Sequence, residues 1–220
     1  MSHHFLDIAA TPSLRAAQAA MGSERMWRNF DGGRALDALT ASEAAFIAER
    51  DSFYLATVSE TGWPYVQHRG GPRGFLKLVD EKTLAFADYR GNRQYISVGN
   101  LAADDRAALI LMDYAGRARL KVYALIEALP LDADPALAQR LAAPDYKAKP
   151  ERILLLHVEA FDWNCPQHIT PRFTEAEIDA AVAPLRQREL WRKLGDGGEE
   201  GGVTGLVIKP PEPPRWSVTP

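Results

Sequence analysis

One cysteine, Cys165, is all the thiol that the 220-residue chain carries. A lone thiol closes no disulfide within the chain and supplies no multi-cysteine zinc module, so neither device staples this fold. Long apolar runs are missing as well: none approaches the ~18 residues that a bilayer span requires. The N-terminus lacks a basic stretch followed by an apolar one, so no secretory signal is visible. His3 and His4 are too few for a tag. There is no internal repeat, and no strong excess of either charge. A net charge of −3 argues against nucleic acid as the main partner. These absences predict a soluble, cytoplasmic protein with neither a membrane nor a nucleic acid as its partner.

What is present is enough for a substantial core. A chain of this length buries roughly 70% of its unfolded surface when compact, and 46% of its residues are hydrophobic. Charge is unevenly distributed. Tyr65 to Leu125 contains ten basic and six acidic residues, a local net of +4, while the remainder carries −7. A basic middle in an acidic chain fits either a local anion site or a chance cluster of solvated charges.

Residues Ser13 to Arg28 read as a helix, broken at Asp31-Gly32-Gly33. Thr40 or Ser42 caps a second helix that turns Phe46 and Ile47 inward. The period then changes to that of strands, at Phe53–Val58, from Tyr65, Gly74–Val79, Thr83–Ala87, Ala107–Asp113, Arg119–Ala128 and Ile153–Phe161. Asn92–Leu101 reads as a helix after a Gly-containing loop, Asp134–Ala142 as a short surface helix, and Glu175–Leu194 as a helix bent or restarted near Pro184. Short strands joined by tight turns predict a mainly β fold with peripheral helices, its antiparallel sheet curling or closing into a barrel. The expected organisation is an N-terminal helical extension over 1–39, the main domain over 40–194, and a Gly/Pro-rich tail over 195–220.

Three segments combine chemistry. In Tyr65-Val66-Gln67-His68-Arg69-Gly70-Gly71-Pro72, strand alternation puts Gln67 and Arg69 on one face. The glycines then either mark a bulge and bend or let the backbone pass close to something flat. In Asp88-Tyr89-Arg90-Gly91-Asn92-Arg93, a strand ends in a loop that projects arginines just before a helix. Helix N–H groups and guanidinium forks suit a phosphate; the bland alternative is a cap with solvated arginines. In Phe161-Asp162-Trp163-Asn164-Cys165-Pro166-Gln167-His168, an aromatic, two amides and an imidazole suit a planar heterocycle. Nothing in the sequence activates Cys165 as a nucleophile.

The ordered blocks FYLATVSETGWPYVQHRGG, TLAFADYRGNRQYISVGNL, RARLKVYAL and HVEAFDWNCPQHI, spanning Phe53 to His168, resemble the pyridoxamine-phosphate-oxidase-related family of FMN-binding split barrels. The resemblance implies a six-stranded antiparallel split β-barrel, a homodimer, and FMN bound in clefts at the dimer interface. By position it places Gln67, His68 and Arg69 beside the isoalloxazine ring, with Asp88 and Tyr89 at the next strand end. Asn92 and Arg93 match the phosphate-holding pair, where relatives commonly have Arg-Lys. Arg119 and Lys121 match a strand reaching the ring or ribityl chain, although Tyr123-Ala124 replaces the Gly-Arg that many relatives have there. Trp163, Asn164 and Gln167 match a segment that reaches the flavin of the other subunit. The implied activity is that of an FMN-dependent oxidoreductase acting on a small organic substrate. The rival readings are a non-catalytic flavin-binding protein, or the same barrel holding a deazaflavin or heme.

Overall fold

The computed structural model of the chain describes residues 4–27, 38–164 and 166–195. The Asp31-Gly32-Gly33 break, Cys165 and the tail from residue 196 onward lie outside them. The chain divides into two compact units. The first holds a seven-stranded, wholly antiparallel sheet in the order β2-β1-β5-β6-β7-β4-β3. Its strands are β1 (Ser52–Val58), β2 (Pro64–Gly70), β3 (Lys77–Asp80), β4 (Thr83–Tyr89), β5 (Arg106–Asp113), β6 (Ala118–Leu129) and β7 (Pro150–Trp163). Reading strand by strand along the sequence also counts seven; the six implied by the resemblance is one too few.

The sheet rolls up because its inner face is a continuous apolar stripe. Phe53 and Leu55 of β1, Leu84 and Phe86 of β4, Leu109 and Leu111 of β5, and Leu120 and Val122 of β6 are all nearly inaccessible to solvent. Three strands separate β1 from β4 in the hydrogen-bonding order, yet Phe53 and Phe86 meet edge to face at 5.3 Å between ring centroids. Only a curled sheet brings those strands together. Phe75, from the β2–β3 connection, stacks on Phe53 at 5.5 Å and plugs this end of the barrel. A second apolar cluster lies on the other face of β4 and β7. There Ala85, Ala87 and Ile153 are covered by Leu137 and Leu141 of α5 (Pro135–Leu141).

The helices follow local signals with some shifts. The N-terminal segment forms α1 (His4–Ala9), α2 (Pro12–Ala20) and a 3-10 turn at Glu24–Trp27, not one long helix. Thr11 caps α2 and Pro12 opens it, as the fixed φ of proline favours. Thr40 caps α3 (Ala41–Ala48) in a full capping box with Glu43. α4 (Ile96–Ala103) starts four residues later than the sequence implies, because Arg93 and Tyr95 are left-handed, with φ of 63° and 55°. No helix among the described residues is long and apolar enough to cross a membrane. Among the described residues the second unit comprises Tyr114–Arg117 and 166–195. In it α6 (Glu175–Gly195) runs unbroken through Pro184, and Thr174 and Glu177 cap it reciprocally.

The Gly70-Gly71 pair is explained within the protein. A Cβ on Gly71 would sit 2.7 Å from the ring of Phe75, so the flat group its backbone approaches is this core aromatic. Gly74 adopts φ +71°, and a Cβ there would meet the Ala48 carbonyl oxygen at 2.8 Å. Gly74→Ala is therefore expected to destabilise the protein by ~2 kcal/mol, through left-handed strain and a backbone clash. The check is a lowered urea midpoint with an unchanged m-value.

Trp163 at the end of β7 donates from Nε1 to the Glu43 carboxylate at 2.7 Å and packs edge-on to Phe46 at 4.7 Å. Burial pushes the Glu43 carboxyl up, but hydrogen bonds from Thr40 and Trp163 outweigh it and hold the group below the usual glutamate value. A lowered folded pKa contributes stability above the ordinary glutamate range, and that stability is lost as pH falls through the folded value. Glu43→Gln should cost ~1–2 kcal/mol at pH 7. The gap from the parent protein should close in acid denaturation curves as pH falls below the ordinary glutamate range.

Candidate functional site

Strand β2 alternates as the sequence requires: Gln67 and Arg69 are half-buried on the inner face, and His68 is exposed on the outer one. Helix α4 is fixed against this sheet by two side-chain hydrogen bonds. Ser97 Oγ donates to Gln67 Oε1 at 2.8 Å, and the buried Asn100 Nδ2 donates to Thr57 Oγ1 at 3.0 Å. With α4 anchored, the loop from Arg90 to Tyr95 is held over the ends of β2 and β4. The result is an open cleft of about 250 Å³. Gln67, His68, Arg69, Asp88, Tyr89, Asn92 and Arg93 all line it, seven of the twelve candidate residues.

Charge in the cleft is organised around Asp88. Arg69 Nη1 lies 2.6 Å from Asp88 Oδ1, and Arg152 Nε lies 3.4 Å from Oδ2. Burial pushes the Asp88 carboxyl above its ordinary value; Arg69 and Arg152 pull it back, and Glu151 adds to the rise. At the rim, Arg90 Nε pairs with Glu151 Oε1 at 2.6 Å, and Tyr95 donates to the same oxygen at 3.3 Å. The Arg152 guanidinium lies 5.0 Å from the centre of the Tyr95 ring.

Against this background of paired charge, two donors have no partner among the described residues. Arg69 Nε is buried without a hydrogen bond. The exposed Arg93 makes no ion pair among the described residues. Asn92 closes its own turn, accepting from the Gln94 amide and donating to the Gln94 side chain, both at 3.1 Å. Left-handed backbone at Arg93 and Tyr95 is uncommon outside glycine and costs of order 1 kcal/mol each. Both lie in one short loop, immediately before α4.

The other five candidates are placed elsewhere. Lys121 pairs with Asp162 at 2.7 Å and sits 4.5 Å from the centre of the Phe5 ring, on the outer face of the sheet. The Arg119 carbonyl accepts from the Asn164 amide at 3.2 Å, and Arg119 Nε is buried without a partner. Trp163 is occupied by Glu43 and Phe46. Gln167 belongs to the second unit. Sequence reasoning missed Glu151, Arg152 and Tyr146, which complete the cleft or its ion pairs. Arg152 faces Asp88 because β7 pairs with β4 in register, a long-range fact with no local signature. Tyr146 comes from an irregular loop that carries no motif.

Comparison with curated protein sequences gives no significant match. Among solved structures, HupZ of Group A Streptococcus is 16% identical, with 61% of this chain and 100% of that chain covered and a TM-score of 0.44. A protein related to general stress protein 26 from Clostridium acetobutylicum is 17% identical, covering 62% of this chain and 94% of that one, with a TM-score of 0.41. An FMN-binding protein from Syntrophomonas wolfei is 15% identical, covering 70% and 95%, with a TM-score of 0.43. The assignment rests on none of these but on a match along the sequence itself. Residues 39–164, more than half of the chain and every strand of the sheet, fit the pyridoxamine 5'-phosphate oxidase family model, and the chain belongs to that family.

Proposed function

We propose that the cleft binds FMN and that the protein is a homodimeric FMN-dependent oxidoreductase acting on a small organic substrate. The observation that carries this reading is the exposed Arg93, unpaired among the described residues and held in a strained loop beside a strand whose Arg69 keeps a buried donor without a partner among them. The residues present fit the cofactor. Arg93 and Asn92 would hold the phosphate, with a charge-assisted hydrogen bond from the guanidinium contributing ~1.5–3 kcal/mol. Gln67 and Arg69 would present donors to a polar edge of the ring system, and Asp88 fixes Arg69 in place at 2.6 Å. When bound, flavin supplies hydride or single-electron transfer, so no protein acid or base is required for the redox step itself. A cation beside the ring also favours the anionic reduced form, which gives Arg69 a part in setting the potential.

Arg119, Lys121, Trp163, Asn164 and Gln167 enter this proposal through the partner subunit, as residues that close the open side of the cleft. Sedimentation equilibrium tests that part, and a monomer at micromolar concentration would remove it.

Arg93→Ala should weaken FMN binding ten- to a hundred-fold while leaving riboflavin affinity nearly unchanged. Equal losses for both ligands would refute the phosphate assignment. Bleaching of the bound flavin spectrum by NADH or NADPH under anaerobic conditions supports turnover. A spectrum that both reductants leave intact favours a flavin-binding protein without nicotinamide-driven activity.

A further inference from the structure

We infer that a second, apolar chamber adjoining the cleft takes an uncharged ring portion of the substrate; its role as a substrate subsite rests on the flavin reading above. The chamber has a volume of about 280 Å³ and lies between α5 with its following loop and the outer face of β4 and β7. Ala87, Tyr89, Tyr146 and Ala148 line both the chamber and the cleft, so the two spaces share a wall. The chamber is otherwise walled by aliphatic groups such as Leu131, Leu141 and Ile153, and none of its twelve lining residues is charged.

Size and chemistry restrict the occupant. An apolar cavity of ~150 Å³ accommodates a benzene-sized guest, so this chamber accepts about two fused rings. The lining offers an anion no cation in exchange for the water it would lose, which disfavours a charged group. The three arginines in the cleft walls sit on the other side of the shared wall. The pair of cavities therefore separates the phosphate of a cofactor from the apolar body of a substrate.

The shared wall is also polar at two points. Tyr89 and Tyr146 meet edge to face, 5.0 Å between centroids. Among the described residues neither hydroxyl has a hydrogen-bond partner, so both remain free for a ligand oxygen. Burial, and then the neighbouring Tyr146, push the Tyr89 phenol up, which keeps it a protonated donor at neutral pH. The walls are anchored ones: Leu137 and Leu141 of α5 are buried, and Asp134 caps the helix by accepting from the Leu137 amide at 2.9 Å. Recognition thus calls for an uncharged aromatic or alicyclic body carrying a hydroxyl or carbonyl.

The probe is 2-naphthol, titrated by calorimetry into the protein with and without FMN, while the flavin absorption band is followed. Saturable binding is expected, with a shift of the flavin band because the two spaces adjoin. The anionic 2-naphthoate should bind at least ten-fold more weakly. Ala138→Leu, which fills the chamber from α5 without touching the cleft, should weaken 2-naphthol ten-fold and leave FMN affinity within two-fold. Tyr146→Phe keeps the ring and should weaken 2-naphthol two- to five-fold. Absence of saturable 2-naphthol binding to the unmodified protein overturns the chamber, as does equal affinity for 2-naphthoate. FMN uptake without 2-naphthol binding would remove the chamber and leave the flavin reading standing. Binding of 2-naphthol that Ala138→Leu blocks, in a protein that takes up no FMN, would keep the chamber and remove the flavin reading.

Discussion

The contact between Arg69 and Asp88 is the constraint on which the rest of the site depends. Arg69 lies on β2, at one edge of the sheet, and Asp88 on β4, with four strands between them in the hydrogen-bonding order. Their ion pair bridges the gap in the rolled sheet where no backbone ladder does. Taking both groups out of water is costly, and the Coulomb attraction offsets that cost only where geometry is good and further partners are available. Arg152 supplies such a partner on the second carboxylate oxygen. Phe53, Phe75 and Phe86 pack together in the adjoining barrel core, so the apolar contacts that roll the sheet and the ion pair that pins its edges are neighbours.

The helix-start loop then follows from that closure. Gln67, one residue pair along from Arg69 on the same face, accepts from Ser97 and so ties α4 to the sheet edge. Asn100 ties the same helix to β1 from below. With both anchors in place the connection from Tyr89 to Ile96 has little freedom. It takes left-handed turns at Arg93 and Tyr95, where most sequences would use glycine. A loop ordered before any ligand arrives has already lost the entropy that binding would otherwise remove.

Much of this was legible in the chain. Phe53–Val58, Ala107–Asp113 and Arg119–Ala128 read as strands from their apolar composition, and β1, β5 and β6 lie there; of the two residues able to cap α3, Thr40 is the one that does. Seven candidate residues meet in one cleft because they come from two short segments flanking a single closure. The start of α4 was not legible, since no propensity rule assigns positive φ to arginine and tyrosine. Nor was α1, whose six residues are too few to show a period and which stacks Phe5 on Tyr123, 4.3 Å away. The basic middle of the sequence was a poorer guide than it looked. Only Arg69, Arg90 and Arg93 of its ten cations line the cleft. Arg73, Arg106 and Lys121 are paired elsewhere, with Glu49, Asp104 and Asp162.

Strand β7 has a consequence of its own. It runs fourteen residues without interruption and pairs with β6 on one side and β4 on the other. One end carries Glu151 and Arg152 into the ion pairs of the cleft; the other carries Trp163 to Glu43. Arg152 and Trp163 are separated by roughly 36 Å of extended chain. Side chains alternate along it except at Glu159, where the ladder with β6 shifts by one residue, so a further slip of one residue would turn the side chains on either side of that bulge to the wrong face at once. The strand thus acts as a ruler: the distance between cleft and anchor is fixed by counting residues, and an insertion or deletion within β7 would disturb both ends together.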